Sequence, residues 1–256
     1  MAAADAPTEA PVHEACYVYG VVAAATAVDD LSSSDGMGNG ISLIADGSLA
    51  AVVESIDPDR PLGVRRDVLA HSAVLNDLAA QGPVLPMRFG SVLADETAVV
   101  TELLRPHRER FVTMLDEIAG MSQFTVRARY VLDAVLAEVV AQEPEVAELR
   151  RRTRDLPEDA THYDRIRLGE LVAKAVEGKR EVDGQRILEK LAPYAADHAV
   201  RDVSGMEELI QASFAVHEKR RQKFEAAAED LAEEMEGRVR MSLVGPMALY
   251  DFIPEE

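Results

Sequence analysis

The chain has 256 residues, of which 48% are hydrophobic and 29% charged, a balance typical of a soluble globular protein. Its formal net charge of −19 argues against nucleic acid and anionic membranes as partners, because both require clustered cations. The single cysteine, Cys16, excludes an internal disulfide and an all-cysteine zinc site. The longest apolar stretch, residues 17–28, has about a dozen residues, whereas a membrane span needs roughly 20. We therefore expect a cytoplasmic protein.

The first half of the chain predicts an α+β domain over residues 16–120, preceded by a disordered leader at residues 1–15. The predicted elements are strands at 16–23, 41–45 and 49–55, a helix at 64–81, a strand running from 83 to 89 and a helix at 97–119. The first helix is expected to bury one stripe of side chains, namely Val64, Val68, His71, Leu75 and Leu78. Asp95 should begin the second helix, and Pro106 should bend it because proline lacks an N–H donor.

After Gly120 the apolar alternation becomes clearer and predicts a second α+β domain over residues 121–256, including a C-terminal tail. The predicted elements are strands at 124–130, 198–203, 210–216 and 238–244, with helices at 132–142, 144–154, 163–191 and 219–236. Strand-helix-strand-strand-helix-strand is the ferredoxin-like order, modified here by an enlarged first helical connection. The predicted fold class is thus α+β with two domains, the second a modified ferredoxin-like fold.

The chain shows no pattern of a catalytic or cofactor site. It lacks a phosphate-binding loop, a dinucleotide-binding glycine pattern and a His-Glu-x-x-His zinc sequence. Its six histidines are scattered without metal-ligand spacing. We therefore predict a non-enzymatic protein without cofactor or metal. The alternative, a ligand-binding or enzymatic ferredoxin-like protein, would require a defined polar pocket with shifted pKa values.

Four arginines form a candidate binding patch in the second domain. Arg127 and Arg129 share one face of a predicted strand, and Arg238 and Arg240 share one face of the last strand. The first and last strands are neighbours in a ferredoxin-like sheet, so the four guanidiniums are expected to gather on its open face. Like charges repel and need carboxylates nearby. The acidic tail or a helix of the first domain is one source of those carboxylates, and a partner protein is the other.

Several motifs carry a resemblance to a known family. They are Tyr17-Val18-Tyr19-Gly20, the run Leu-Pro-Met-Arg-Phe-Gly at 85–90, Arg-Leu-Gly-Glu at 167–170, Phe214, and Gly245-Pro246 followed by Tyr250-Asp251-Phe252. Together they resemble the F/L family of gas vesicle proteins over residues 17–253. The chain departs from the family's usual Gly-Pro-Trp-Pro-Pro-Tyr-Asn-Phe, since residues 247–249 replace Trp-Pro-Pro and an aspartate replaces the asparagine.

The resemblance implies a non-enzymatic accessory protein of gas vesicle formation. The resemblance implies a minor component of the vesicle that binds the small hydrophobic shell protein, limits its aggregation and aids its assembly. The implied partners are the major gas vesicle shell protein and other accessory proteins, and the implied location is the cytoplasm and the gas vesicle. A purely structural component of the shell is a further possibility. The resemblance also implies two α+β domains.

The expected partner-binding site is an apolar groove or strand edge of the first domain, near residues 17–22 and 84–89. Its candidate residues are Tyr19, Val21, Arg88 and Phe89, joined by the four arginines of the second domain. The competing interpretation is that the apolar ones pack in the core. Arg88 is expected to anchor its turn to a carboxylate such as Asp95. The remaining motif residues are expected to serve backbone geometry and packing: Gly90, Gly245, Pro246, Tyr250 and Phe252.

Overall fold

The structure is a computed structural model and describes residues 14–26, 36–38 and 40–253. Most of the predicted leader, and most of the polar loop before residue 41, lie outside the described residues. The chain divides into two compact units, the first comprising Met1–Gly120 with Met247–Glu256 and the second Met121–Pro246. The tail, Met247–Glu256, belongs to the first unit, whereas the sequence analysis placed it with the second domain. The reason is local packing, since Ala248 is 1% exposed and its N–H donates to Asn76 Oδ1 at 3.3 Å.

The first unit contains an antiparallel sheet of five strands. They are β1 (Ala15–Ala23), β2 (Ile41–Asp46), β3 (Leu49–Ile56), β4 (Val84–Pro86) and β5 (Val92–Leu93). The order is β2-β3-β1-β4, and β5 also pairs with β1. The expected exposed edge at residues 17–22 is therefore wrong, because β1 has strands on both sides. Its central position follows from a nearly continuous apolar sequence, since an interior strand is buried on both faces.

Helix α1 (Arg65–Gln81) packs on this sheet with a face that overlaps the predicted stripe, since His71, Leu75 and Leu78 are buried as predicted. Val64 is 63% exposed and Val68 is 42% exposed. The buried set instead comprises Asp67, His71, Val74, Leu75 and Leu78. Asp67 takes a buried position because its carboxylate pairs with Arg60 at 3.0 Å, a contact that periodicity of apolar residues does not reveal.

The helix predicted at 97–119 is broken rather than bent. A short helix α2 (Glu96–Ala98) continues as a π-helical segment (Val99–Leu104), and α3 (Arg108–Glu117) follows after a turn at Pro106. Asp95 does begin the first piece, since its Oδ1 accepts the Ala98 N–H at 2.8 Å. The break follows from the missing N–H of proline together with the wider π-helical turn before it.

The second unit contains an antiparallel four-stranded sheet with helices. Its strands are β6 (Met121–Tyr130), β7 (Asp197–Arg201), β8 (Glu208–His217) and β9 (Val239–Met247), in the order β7-β8-β6-β9. Its helices are α4 (Leu132–Gln142), α5 (Pro144–Thr153), α6 (Glu158–Leu191) and α7 (Arg221–Glu234). In the core, the Phe224 ring lies 5.4 Å from the Phe124 ring and 5.2 Å from the Phe214 ring. No described helix is both long and apolar enough to cross a membrane.

Candidate partner-binding site

A buried cluster of rings joins two of the family-like motifs in the first unit. The Tyr17 ring lies 5.0 Å from the Tyr19 ring and 6.2 Å from the Phe89 ring, measured between centroids. His71 of α1 completes the cluster, 5.7 Å from both Tyr17 and Phe89. Edge-to-face aromatic pairs of this kind contribute about 0.5–1.5 kcal/mol each beyond burial. The Tyr-Val-Tyr and Met-Arg-Phe-Gly motifs are therefore linked by packing.

A chain of hydrogen bonds fixes the protonation state of His71. Its Nε2 lies 3.2 Å from the Met87 carbonyl oxygen, which can only accept, so Nε2 carries the proton. Its Nδ1 therefore accepts from the Tyr17 hydroxyl at 2.8 Å. That hydroxyl in turn accepts the Gly90 N–H at 3.2 Å, and Gly90 adopts a φ of +90°, which favours glycine. The histidine is thus a neutral structural bridge between α1 and the loop after β4.

Stability should depend on pH through His71. Burial lowers the pKa of this histidine, although the Met87 carbonyl opposes the shift. Below about pH 6.5 the unfolded chain binds a proton that the folded chain excludes, so the free energy of unfolding should fall on acidification. Above that pH the histidine is neutral in both the folded and the unfolded chain, so it no longer makes the free energy of unfolding depend on pH. His71→Gln keeps a donor and an acceptor but has no group that titrates near pH 6.5. The free energy of unfolding of this variant should therefore change less with pH. Urea unfolding between about pH 7.5 and pH 5 checks this, and parallel profiles would contradict it.

Tyr19 has a structural partner as well. Its hydroxyl donates to Glu54 Oε2 at 2.5 Å, and the same oxygen accepts the Met37 N–H at 2.7 Å. Glu54 and Tyr19 are both fully buried, and burial together with the hydrogen bond to Glu54 raises the pKa of Tyr19. Val21 also has no exposed surface. Two of the residues expected to bind a partner, Tyr19 and Val21, therefore lie in the core, as the competing interpretation held.

An apolar groove lies beside β4, within the first unit. Its volume is about 220 Å³. The lining comes from β4 and the loop after it, from the π-helical segment and α3, and from the tail. The lining residues are Leu85, Pro86, Met87, Arg88, Ser91, Leu103, Arg110, Phe111, Met114, Tyr250 and Ile253. Exposed arginines at 88 and 110 lie beside a largely aliphatic and aromatic interior. The groove can accept an apolar side chain next to a carbonyl or carboxylate group.

The other predicted residues of the first unit lie at or near this groove. Arg88 is exposed and lines it, whereas Phe89 is half-buried in the ring cluster. Tyr250 lines the groove from a 3₁₀ turn, Tyr250–Phe252, and burial raises its pKa to about 12. Asp95, the expected partner of Arg88, uses Oδ1 to cap the helix that follows it. Of the residues that the sequence nominated for binding, only Arg88 lines the groove.

The groove's α3 residues were missed by the sequence reasoning. Arg110, Phe111 and Met114 have helical spacing and present one side of α3 to the groove. Their spacing of i, i+1 and i+4 places them on one side of a helix, which the sequence alone could have indicated. It was hidden because the helix was predicted as one bent element, which leaves the facing of its second half undefined.

The arginine patch of the second unit does not form as expected. Arg129 pairs with Glu207 and Glu208, both at 2.9 Å. Arg238 pairs at 2.7 Å with Glu138 Oε1 and Asp183 Oδ2. Both arginines therefore pair with carboxylates of the second unit itself, a source that the sequence did not suggest, and residues 255 and 256 of the expected tail lie outside the described residues.

The remaining two arginines of the patch are exposed, namely Arg127 and Arg240.

The predicted motif residues Gly245 and Pro246 lie within β9. Among the described residues no group of three or more His, Cys, Asp or Glu side chains could hold a metal ion.

Comparisons with known proteins agree with one another. Residues 15–254 match the family model described as "Gas vesicle synthesis protein GvpL/GvpF". Gas vesicle protein F of Streptomyces sp. (strain CB03234) is 33% identical over 214 residues, which are 83% of this chain and 87% of that protein. Gas vesicle protein F of Dolichospermum flosaquae is 21% identical over 196 residues, 76% of this chain and 79% of that protein.

Solved structures share the fold. The crystal structure of GvpF from Anabaena sp. PCC7120 is similar with a TM-score of 0.77 and 20% identity, covering 95% of this chain and 97% of that one. GvpF from Microcystis aeruginosa gives a TM-score of 0.71 at 16% identity, covering 93% of this chain and 98% of that one. The match of the family model over nearly the whole chain decides the assignment. The chain belongs to the GvpL/GvpF family of gas vesicle proteins.

Proposed function

We propose that this chain is a non-enzymatic accessory protein of gas vesicle formation that binds the small hydrophobic shell protein and limits its aggregation. Family membership supports the link to gas vesicles. The observation that carries the binding proposal is the apolar groove beside β4, with Arg88 and Arg110 in its lining. The protein would act in the cytoplasm and on the growing vesicle. Other accessory proteins are further candidate partners.

The physical reason for such a protein lies in the shell subunit's own chemistry. A subunit that lines a gas-filled compartment exposes apolar surface and aggregates in water. A binder that covers part of this surface lowers the exposed apolar area. Its net charge of −19 would then keep the complexes apart by mutual repulsion.

The position of the groove suits an extended apolar segment. β4 is an end strand of the sheet and has only three residues, so its outer side is short. The groove beside it is floored by Leu103 and Phe111, which are almost fully buried. An apolar side chain of the shell protein would enter between them, and the two arginines would meet backbone carbonyls or a carboxylate at the rim.

We also infer that each compact unit is a domain and that the second is a modified ferredoxin-like fold. The strand order β7-β8-β6-β9 supports this, because a ferredoxin-like sheet places its first and third strands in the centre. Helices α4, α5 and α6 together would be the enlarged first connection between β6 and β7. α7 would be the second connection, between β8 and β9.

Light scattering of the major shell protein, diluted from denaturant with and without this chain, tests the proposed function. We expect the chain to suppress the scattering in proportion to its concentration and to co-elute with the shell protein on gel filtration. An unrelated protein of similar size and net charge is the control for repulsion alone. Equal scattering with both proteins, and separate elution, would overturn the proposal.

Met114→Arg tests whether the groove is the binding site. Met114 is half-buried in the groove lining, so a longer charged side chain there would occupy the space that the partner needs. We expect binding to weaken by at least about tenfold, since a buried unpaired charge costs well over 1.4 kcal/mol at an interface.

The matched control is Thr113→Arg, which adds the same side chain at an exposed position of α3 outside the groove lining. It should bind within about twofold of the unmodified chain, because surface substitutions usually change the free energy by less than 0.5 kcal/mol. Circular dichroism confirms that both variants are folded. If both variants lost binding equally, or if neither lost binding, the site would lie elsewhere.

A further inference from the structure

The outer face of helix α1 exposes several large apolar side chains. Val64, Val68 and Leu69 are 63%, 42% and 58% exposed, and they lie within two turns of the same helix. The tail packs on the flank of α1, where Ala248 donates to the half-buried Asn76, and it leaves these side chains uncovered. Clustered apolar surface of this kind marks interaction sites, whereas singly scattered apolar residues do not.

Four exposed residues at a spacing of four form a stripe along this face. The α1 stripe comprises Arg65, Leu69, Ala73 and Asp77. Because residues four apart are neighbours on a helix surface, the stripe has the order cation, large apolar, small, anion. Arg66 is exposed beside Arg65. Neither arginine side chain forms a hydrogen bond or an ion pair with any part of the chain that the structure describes.

The charges of the α1 stripe oppose the dipole of their own helix. Arg65 lies in the first turn of α1, and Asp77 lies close to its last turn. A helix dipole favours anions near the N-terminus and cations near the C-terminus, which is the reverse of this arrangement. An antiparallel neighbour with the same stripe would bring its own C-terminal end and its aspartate beside Arg65. The stripe therefore suits a helix pair better than an isolated helix.

We propose that the α1 stripe is the contact between two copies of this chain, with their α1 helices antiparallel. A two-fold interface is formed by one self-complementary patch on both partners. With the axis midway between Leu69 and Ala73, Leu69 of each copy lies opposite Ala73 of the other. The leucine then fills the space that the small alanine leaves. The same axis places Arg65 of each copy opposite Asp77 of the other.

The net charge of −19 opposes this association only at long range. At about 0.15 M salt, exposed charges more than about 8 Å apart are largely screened. A single helix pair is smaller than a standard interface, so we expect a weak dimer with a dissociation constant on the order of 10 µM. The α1 stripe contains no residue of the β4 groove, so the inference does not rest on the proposed function.

Sedimentation velocity of the full chain from about 1 to about 200 µM tests the proposal. We expect the average mass to rise with concentration from 27.9 kDa towards twice that value. Leu69→Glu places a charge in the centre of the contact and should weaken the dimer by at least about tenfold. The matched control is Leu156→Glu, at a leucine of the second unit that is 53% exposed, and it should change the dimer by less than about twofold.

Charge reversal tests the antiparallel register. Arg65→Asp and Asp77→Arg each place like charges opposite one another across the axis, so each should weaken the dimer by at least about fivefold. The double variant restores both ion pairs with their charges exchanged, and its dimer should return to within about twofold of the unmodified chain. A residue that served only to stabilise α1 would give no such rescue. Circular dichroism confirms that all variants are folded.

Three results would overturn the proposal. A monomer at every concentration would exclude the dimer and leave the α1 stripe to a helix of another protein. A dimer that Leu69→Glu leaves intact, or that Leu156→Glu weakens equally, would have its interface elsewhere. A double variant as weak as the two single variants would contradict the antiparallel arrangement.

Discussion

Gly245→Ala should lower the free energy of unfolding by about 3 kcal/mol, since two separate costs combine at this position. Gly245 adopts a φ of +150°, a conformation that side-chain-bearing residues rarely take. An added Cβ would also lie 2.7 Å from the Gln123 carbonyl oxygen and 2.7 Å from Phe124 Cδ1. The carbonyl belongs to the neighbouring strand β6 and cannot move without disturbing the sheet.

Gly237→Ala is the matched control, because it isolates the backbone cost. Gly237 has a φ of +76°, yet nothing lies within 4 Å of the place of an added Cβ. It should therefore cost only about 1 to 2 kcal/mol. Urea denaturation followed by circular dichroism measures both variants. If Gly245→Ala is no worse than Gly237→Ala, the close approach of β9 to β6 does not constrain the Gly-Pro motif.

Arg238→Ala should cost about 2 to 3 kcal/mol, slightly below the usual range for breaking a buried ion pair because the arginine is partly exposed. Its guanidinium donates to Glu138 and to Asp183, which is 7% exposed and also accepts from the Tyr130 hydroxyl at 2.7 Å. Burial alone would raise the pKa of Glu138, but hydrogen bonds from Arg238 and Lys179 hold it below its ordinary value. Without the arginine, a buried carboxylate would lose its counter-charge.

Arg129→Ala tests the same chemistry at the surface. Arg129 and Glu207 are exposed and Glu208 is half-buried, so the pair is screened by water and its loss should cost less than about 1 kcal/mol. Thermal unfolding of both variants at one salt concentration gives the comparison. Similar losses for the two arginines would show that the Arg238 network contributes no more than a surface pair. The sequence alone treated these arginines as equivalent.

Strand β6 of the second unit was predictable because apolar buried residues alternate with polar ones along it. In β6, residues 124, 126, 128 and 130 are apolar and buried, while the arginines at 127 and 129 are exposed. Period-2 alternation of this kind identifies a strand and its facing from sequence alone. In β1 both faces are buried, so the continuous apolar run identifies a strand but not its neighbours. The false edge assignment at 17–22 followed from that.

The candidate site could be predicted only in part, because it depends on contacts between distant segments. Arg88 was nominated from its motif, but the groove wall formed by Phe111 and Met114 requires α3 to lie beside β4. Tyr250 and Ile253 reach the groove only because the tail packs with the first unit, which no local pattern records. Likewise, the ion pairs of Arg238 join residues 55 and 100 positions apart in sequence. Periodicity contains no information at that range.

Gas vesicle yield in cells tests whether the β4 groove binds the shell protein. In a gas-vesicle-forming host that lacks its own copy of this protein, the unmodified chain, Met114→Arg and Thr113→Arg would be expressed at matched soluble levels. Vesicles are then counted by the turbidity lost on pressure collapse. We expect the unmodified chain and Thr113→Arg to restore vesicles, whereas Met114→Arg should not. Full restoration by Met114→Arg would contradict the assignment of the β4 groove as the site that binds the shell protein.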